Sequence, residues 1–396
     1  MRQTAALLLD AYRELNSRRL FWLTLLISAI VVACFGLVGI HDKGLRIIVW
    51  DFDTFAFNTN VISRATFYKM LFFNLGIGFW LTWLATILAL VSTAGMIPDF
   101  LAGGAIELTL SKPISRLRLF LTKYAAGLLF VALQVLVFAV GSFLVIGLRG
   151  GVWEPGVFLS VPIVVVFFSY LFCVCALLGV LTRSTVASLL LTLVVWFVVS
   201  MLGNVEALLL TFKTGAEKGA SDKQAFVDGT TARLERLRAA EPSAGDAETV
   251  AGQIAEAEKE LEQKQKDLDE SQGSLRTINR VYSALYVAKT VLPKTKDTTA
   301  LLDRALIADS ELEKFLDQQT GEEPRRRAER GSARSNRNRG EDDPPDFVQG
   351  VADPETAREA QRRVRNRPLW WVLGTSLAFE AAVLALASWI FVRRDF

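Results

Sequence analysis

Long apolar segments constrain this sequence more than any other feature. A helix that crosses a bilayer needs about 20 consecutive apolar residues, and six segments of the chain reach roughly that length. In a bilayer core the backbone has no water to bond, so each segment must be helical. The sequence therefore predicts an all-α integral membrane protein with six transmembrane helices. The segments are Leu20–Ile40, Met70–Met96, Leu119–Gly147, Gly156–Leu181, Thr185–Leu210 and Leu369–Val392.

Basic residues flank these segments unevenly, and this sets the expected orientation. With the N-terminus in the cytoplasm, eleven basic residues fall on the cytoplasmic side and five in short outer loops, the bias that membrane proteins show. We therefore expect a multi-pass protein of the cell (inner) membrane with both termini cytoplasmic. The first segment is too long for the core of a cleaved signal peptide, so we expect it to be retained. The cytoplasmic set is Arg2, Arg13, Arg18, Arg19, Lys112, Arg116, Arg118, Lys123, Arg183, Arg393 and Arg394; the outer set is Lys43, Arg46, Arg64, Lys69 and Arg149.

The same orientation places a large insertion outside the cytoplasm, between the fifth and sixth helices. It covers residues 212–368 and is expected to be mainly helical and partly disordered, because residues 321–345 are polar and rich in arginine. Apolar side chains recur every seven residues in its first half, the spacing of a helix that packs against another. We expect a helical hairpin closed against Leu234 and Leu237. The heptad positions are Ile254, Leu261, Leu268, Leu275 and Tyr282.

Three parts follow from this organisation. Residues 1–211 hold helices one to five and an amphipathic N-terminal helix, residues 212–368 form the extracytoplasmic domain, and residues 369–396 form the sixth helix and a cytoplasmic tail.

Motifs for enzymatic chemistry are absent from the sequence. It contains no G-x-x-x-x-G-K-[ST] phosphate-binding loop, so the chain is not expected to bind ATP itself. Its one histidine, His41, argues against multi-histidine metal sites and catalytic triads. Cys173 and Cys175 would point about 200° apart on a helix and cannot share a metal. We predict no catalytic, cofactor-binding or metal-binding residues.

A few polar residues fall inside the apolar segments. Glu380 lies near the middle of the last one, where an ionised carboxylate costs about 2.5 kcal/mol or more. We expect it to face other helices, to be protonated or to line a polar path, with Gln134 or Asn74 as companions. Glu206 lies nearer the outer end of its helix and is expected to reach water.

The cytoplasmic connection between the second and third helices is the most distinctive stretch. Pro98 can begin a short helix at its first turn, and Asp99 suits the positive end of that helix dipole. Lys112 precedes a proline and is therefore pushed out of helical geometry. A short helix joined rigidly to two spans is a suitable contact for a cytoplasmic partner. The candidate contact residues are Pro98, Asp99, Phe100, Leu101, Glu107, Lys112, Pro113 and Arg116.

This connection resembles the signature of type-two ATP-binding-cassette (ABC) exporter permeases. The run Gly-Ala-Ile-Glu-Leu-Thr-Leu-Ser-Lys-Pro-Ile-Ser-Arg occupies positions 104–116 and is followed by Lys123-Tyr124. The stretch Ala-Tyr-Arg-Glu-Leu at 11–15, followed by Arg18-Arg19, resembles the amphipathic entry helix of that family. The Phe-Val-Arg-Arg-Asp stretch at 391–395 resembles its charged C-terminal end. The resemblance covers residues 1–211 and 369–396 and leaves out most of the insertion.

The resemblance implies a transmembrane permease subunit that carries no ATPase activity. Residues 98–110 would form a coupling helix, within a segment of residues 98–118, on which a separate ABC ATPase subunit docks and binds the ATP. A second permease copy or a paralogue would complete the transporter, which would be surrounded by membrane lipid and would export its substrate. An extracytoplasmic partner protein is a further expectation, whereas nucleic acid is not.

Two other classes of function remain open at this point. A membrane-anchored structural or interaction protein would explain the large insertion but not the Ser-Lys-Pro segment. A proton-coupled secondary transporter would explain Glu380, although such proteins often contain internal repeats, and none is evident here.

Overall fold

The computed structural model describes residues 19–41, 44–47, 50–53, 63–102, 115–239, 247–306 and 354–393. Helices dominate these residues, in agreement with the predicted all-α membrane protein. Within the described residues, five helical stretches are long and apolar enough to cross a membrane, and they coincide with the second to sixth predicted spans. The apolar part of the first predicted span, Phe21–Leu37, is shorter. The five stretches are Arg64–Leu101, Arg116–Gly150, Pro155–Thr182, Thr185–Ala239 and Trp370–Arg393.

The helices are numbered here in chain order. They are α1 (Arg19–Leu37), α2 (Arg64–Leu71), α3 (Thr86–Thr93), α4 (Pro98–Ala102), α5 (Arg116–Gly150), α6 (Ser160–Thr182), α7 (Thr185–Ala239), α8 (Ala247–Val291), α9 (Thr295–Leu306), α10 (Pro354–Arg365) and α11 (Thr375–Arg393). The chain is π-helical over Phe72–Ala85 and Trp370–Gly374, and it forms 3₁₀ turns at Ala94–Met96 and Pro155–Leu159.

Two compact units divide the described residues. The second unit contains Met201–Lys289 and the C-terminal stretch that ends at Arg367, and the first unit contains the remainder. One boundary falls inside α7, between Ser200 and Met201. The short helix α9 belongs to the first unit, although residues 212–368 were predicted from sequence to form one insertion.

A small antiparallel sheet follows α1, in a region predicted from sequence as an outer loop. Its strands are β1 (Val38–His41), β2 (Gly44–Ile47) and β3 (Trp50–Asp53), in the order β1-β2-β3. The first pair aligns Val38 with Ile47, and the second aligns Ile47 with Trp50. The Tyr68 hydroxyl donates to the Val38 carbonyl oxygen at 2.8 Å and ties the sheet to α2. Strands of four residues are too short to produce a recognisable alternation in the sequence.

Helix α6 forms the centre of the first unit. Phe167, Phe168 and Cys173 on this helix have no measurable exposure. Aromatic rings from neighbouring helices pack around it, and Tyr124 of α5 stacks on Phe172 at 5.1 Å between ring centroids. Helix α11 packs beside α5 through Phe391 and Phe120, whose rings are 5.4 Å apart. A helix that is apolar all round is expected to be buried in this way.

The outer helices of the first unit expose large apolar side chains. On α7, Leu190, Val194 and Phe197 are more than half exposed. Soluble proteins rarely expose contiguous apolar surface of this kind, so this face suits contact with lipid chains, as the membrane assignment requires.

The second unit is built on an antiparallel helical pair, as the heptad pattern predicts. Lys223 of α7 donates to Ser271 Oγ of α8 at 2.6 Å. Arg238 near the end of α7 bonds Glu258 near the start of α8 at 2.6 Å. Leu234 and the heptad residue Leu268 are buried. The predicted connecting turn at residues 242–245 lies outside the described residues.

Helix α10 packs on the α7 side of this pair through ion pairs. Lys218 Nζ lies 2.8 Å from Glu355 Oε2, and Arg363 Nη1 lies 2.6 Å from Glu217 Oε2. In the part of the chain that the structure describes, the second unit therefore combines two helical segments that are neighbours in the sequence with a third, α10, that is distant from both.

Candidate functional site

Glu380 occupies a buried polar site where three helices of the first unit meet. Its side chain belongs to α11, and it is 9% exposed. Tyr124 of α5 lies 2.8 Å from Oε1 through its hydroxyl oxygen, and Ser169 Oγ of α6 lies 2.7 Å from Oε2. The predicted orientation of Glu380 toward other helices is thus observed, and hydroxyl groups supply both of its side-chain hydrogen bonds.

The hydroxyl groups around Glu380 have alternative acceptors. Tyr124 also lies 3.0 Å from the Ser169 carbonyl oxygen, and Ser169 Oγ lies 2.8 Å from the Val166 carbonyl oxygen. When Glu380 is ionised, both hydroxyls can donate to it. When Glu380 is protonated, it can donate to the Tyr124 oxygen while Tyr124 donates to the backbone. Every partner of this carboxyl therefore stays hydrogen-bonded in either protonation state, which avoids the cost of an unsatisfied buried polar group.

Gln134 and Asn74, the companions predicted for Glu380, lie elsewhere in the first unit. Gln134 is 5% exposed, and its Nε2 has no hydrogen-bond partner within the described part of the chain. It lines a cavity of about 10 Å³ together with Ser28 and Thr86, roughly the space that one water molecule needs. Asn74 is exposed and donates to the Met70 carbonyl oxygen at 3.0 Å.

The first end of the predicted cytoplasmic segment is held against α6 and α7. The Asp99 carboxylate accepts a hydrogen bond from Thr185 Oγ1 of α7 at 2.9 Å. A Cβ at Gly179 of α6 would lie 3.1 Å from Pro98 Cγ, so the glycine allows α4 to approach closely. A Cβ at Gly95 would collide with the Asp99 carboxylate. The short helix α4 is therefore packed closely against its neighbours.

The second end of the segment is held against α11. Arg116, the first residue of α5, donates from Nη1 to the Val392 carbonyl oxygen at 3.3 Å. Ser115 caps α5 by accepting from the Arg118 backbone N–H at 3.4 Å. Lys123 Nζ lies 5.5 Å above the Phe100 ring, which joins α5 to α4, and Leu101 packs against the apolar core. Glu107, Lys112 and Pro113 lie outside the described residues.

Glu206 is buried in the second unit, so the expectation that it reaches water is wrong. It is 1% exposed. Lys289 Nζ lies 2.9 Å from its Oε2, the Arg367 guanidinium bonds its Oε1, and the Tyr282 hydroxyl donates to Oε1 at 3.2 Å. Two cations and a phenol from distant segments cover the carboxylate, which is why its position on one helix did not reveal the burial.

Comparison with known families gives a match over residues 11–269 to the family described as ABC-2 family transporter protein. The match extends over well over half of the chain and includes the whole 98–118 segment. The chain belongs to the ABC-2 transporter family. It is therefore a multi-pass membrane protein and the permease type of subunit of an ABC transporter, as the sequence resemblance predicted. Comparison with curated proteins and with solved structures gave no match.

Several residues that shape these sites in the ABC-2 permease were not identified from the sequence. Tyr124 and Ser169 bond Glu380, Thr185 bonds Asp99, and Lys289 and Arg367 pair with Glu206. In the sequence these residues can be recognised only as hydroxyl-bearing residues inside an apolar span or as basic residues next to such a span. That pattern does not show which residue each of them contacts.

Proposed function

We propose that this chain is the membrane-spanning permease subunit of an ABC exporter that a separate ATPase subunit drives from the cytoplasm. The ATPase binds and hydrolyses the ATP, and it docks on the 98–118 segment. A second permease copy or a paralogue pairs with this chain, and each subunit has six membrane spans. The family match carries the proposal, because residues 11–269 include the first five predicted spans and the whole 98–118 segment.

The contacts at the two ends of the segment support this role. Pro98 and Asp99 tie α4 to α6 and α7, and Arg116 ties the start of α5 to the end of α11. A displacement of the segment would therefore be passed to four helices at once. Packed helices of this kind move as rigid bodies between discrete arrangements, which suits a permease that alternates between two states.

The docking proposal predicts the behaviour of two variants when the permease is co-expressed with its ATPase. Replacing Glu107 by alanine, or deleting residues 98–110, should reduce the amount of ATPase that co-purifies. Replacing Thr185 by valine removes the hydroxyl bonded to Asp99 and should leave the complex intact. Coupled ATPase stimulation should then fall by about 2- to 30-fold, the effect of losing roughly 0.5–2 kcal/mol of coupling.

Thr211→Val is the matched control for Thr185→Val. Thr211 lies on the same helix, and its hydroxyl donates to the Ala207 carbonyl oxygen within that helix at 3.1 Å, so its loss should leave the stimulation unchanged. Full co-purification after deletion of residues 98–110 would remove the docking proposal.

The proposed orientation places both termini in the cytoplasm and the Phe212–Pro368 stretch outside. There the helical pair of the second unit is available to receive substrate or to contact an extracytoplasmic partner protein.

Cysteine labelling tests this orientation. Glu260 is exposed on α8 and accepts a cysteine, while Cys173 and Cys175 are buried. Cys34 is exposed and is first replaced by serine. We expect a membrane-impermeant maleimide added to intact cells to label position 260. Labelling of this position only after the cells are opened would reverse the orientation and place the 98–118 segment on the outer side.

A proton-linked step at Glu380 is a second candidate function, supported by the hydrogen-bond alternatives around that carboxyl. Glu380→Gln keeps the side-chain shape and removes the carboxyl group that can bind and release a proton. If protons take part, this variant should abolish the response of transport to a proton gradient while ATPase docking persists. An unchanged response would exclude this step. A membrane-anchored structural protein without transport is disfavoured by the family membership.

A further inference from the structure

The second unit contains a cavity that none of the functions above uses. Its volume is about 670 Å³, within the range of about 300–1,000 Å³ that is typical of small-molecule sites. It lies between α7 and α8. These helices are joined on one side of it by Tyr282 and Glu206, and on the other by Lys264, which sits 4.6 Å above the Phe226 ring. The helical pair is therefore closed at both ends. Within the cavity the two helices are also joined at its polar end, where Lys223 donates to Ser271 Oγ at 2.6 Å.

Small side chains on α7 account for this space. Gly215, Ala216, Gly219 and Ala220 line the cavity, and a Cβ at Gly219 would meet no described atom within 4 Å. Larger residues at these positions would bring the two helices into ordinary van der Waals contact. The small residues of α7 thus keep a cavity open between α7 and α8, although glycine destabilises a helix.

The two ends of the cavity differ in polarity. Leu209, Phe212 and Ile278 line one end, and Lys223, Glu270 and Ser271 line the other. From Leu209 to Lys223 the helix rises about 21 Å. The apolar end lies on the same helix as an apolar stretch that is long enough to cross a membrane, and the buried pair of Glu206 and Lys289 stands about one turn before Leu209. An elongated site with one apolar and one polar end, on a helix that continues a predicted membrane span, matches the chemistry of a lipid.

We propose that this cavity binds one membrane phospholipid, with an acyl chain against Leu209, Phe212 and Ile278 and the head group near Lys223. One lysine and one glutamate line the polar end, so the lining carries no net charge and suits a zwitterionic head group. This inference goes beyond the proposed transport function and does not depend on ATPase docking.

Photo-crosslinking of the full chain in nanodiscs tests the proposal. The probe is phosphatidylcholine with a diazirine at the end of one acyl chain, mixed into phosphatidylcholine nanodiscs. After irradiation, mass spectrometry of the digested protein should find the probe on peptides that contain residues 209–223 and 270–278. Gly219→Leu fills the cavity and should reduce this labelling roughly tenfold, the loss expected when about two methylene contacts disappear.

Gly229→Leu is the matched control. Gly229 lies on the same helix, its Cβ position is also open, and it does not line the cavity. Both exchanges replace glycine by a better helix former, so labelling should fall in the first variant and persist in the second. Ser274→Leu narrows the cavity from α8 and should repeat the loss, which keeps the test valid if Gly219→Leu does not fold.

Two outcomes would overturn the proposal. One is that no cross-link is found on residues 209–223 or 270–278. The other is labelling that Gly219→Leu and Ser274→Leu leave unchanged, which would reflect general contact with lipid. Loss of labelling in both cavity variants, with normal ATPase co-purification, would establish the lipid site independently of the docking proposal.

Discussion

Replacing Glu206 by alanine is expected to destabilise the second unit by about 3–5 kcal/mol, the usual cost of breaking a buried ion pair. Glu206 is the carboxylate that both Lys289 and Arg367 contact, and it also accepts a hydrogen bond from Tyr282. Its removal leaves two nearly buried cations without this counter-charge. Because the two cations come from different segments, their repulsion would also separate the end of α8 from the chain after α10.

Thermal unfolding of the purified protein in detergent measures this effect. We expect the unfolding midpoint temperature of the second unit to fall by roughly 10 °C. The unit should also become sensitive to protease at a lower temperature. Glu217→Ala is the matched control, since Glu217 lies on the same helix and pairs with Arg363, but the two side chains are 33% and 40% exposed. Surface pairs contribute about 0–1 kcal/mol. We call Glu206 with Lys289, Arg367 and Tyr282 the Glu206 cluster. If the unfolding midpoint fell equally in the two variants, burial of this cluster would add no more stability than a surface ion pair.

Replacing Glu380 by alanine is expected to destabilise the first unit by about 2–5 kcal/mol. The exchange removes the side chain that joins α11 to α5 and α6, and it leaves a cavity in a closely packed site. Tyr124 and Ser169 can still donate to the backbone carbonyl oxygens beside them. The loss therefore comes mainly from the cavity and from the missing inter-helix hydrogen bonds. Glu380→Gln, which keeps the shape, should cost about 1 kcal/mol.

A double-mutant cycle of Glu380→Ala with Tyr124→Phe measures the contact itself. Residues in direct contact show coupling energies of about 0.5–3 kcal/mol, and we expect a value in that range. Ser388→Ala on the same helix is the control, because its hydroxyl makes only a hydrogen bond within α11, to the Ala385 carbonyl oxygen at 3.0 Å. A coupling energy of zero between Glu380 and Tyr124 would contradict the observed hydrogen bond.

The membrane helices could be predicted from the sequence because their signal is local. Each apolar segment is 21–29 residues long, and its length and composition identify it without any knowledge of its neighbours. Glu380 stood out for the same reason, as a charged residue in an apolar segment. The heptad positions Leu268 and Leu275 likewise predicted that α8 packs against another helix.

The partners of these residues could not be predicted, because they are distant in the chain. Tyr124 is separated from Glu380 by 256 positions and Ser169 by 211. A single sequence contains no information on which hydroxyl meets which carboxyl across such distances. The predicted exposure of Glu206 failed for the same reason. The helix alone places it near an end, and only its contacts with Lys289 and Arg367 bury it.

The Glu206 cluster can be completed only late in the synthesis of the protein. Lys289 follows Glu206 by 83 positions and Arg367 follows it by 161. Ribosomes add about 5–20 residues per second, so the guanidinium is made roughly ten to thirty seconds after the carboxylate. During that interval the nascent second unit lacks at least one of its two cations, and we expect its helices to be least resistant to proteases. Completion of the unit waits for the stretch that directly precedes the last membrane helix.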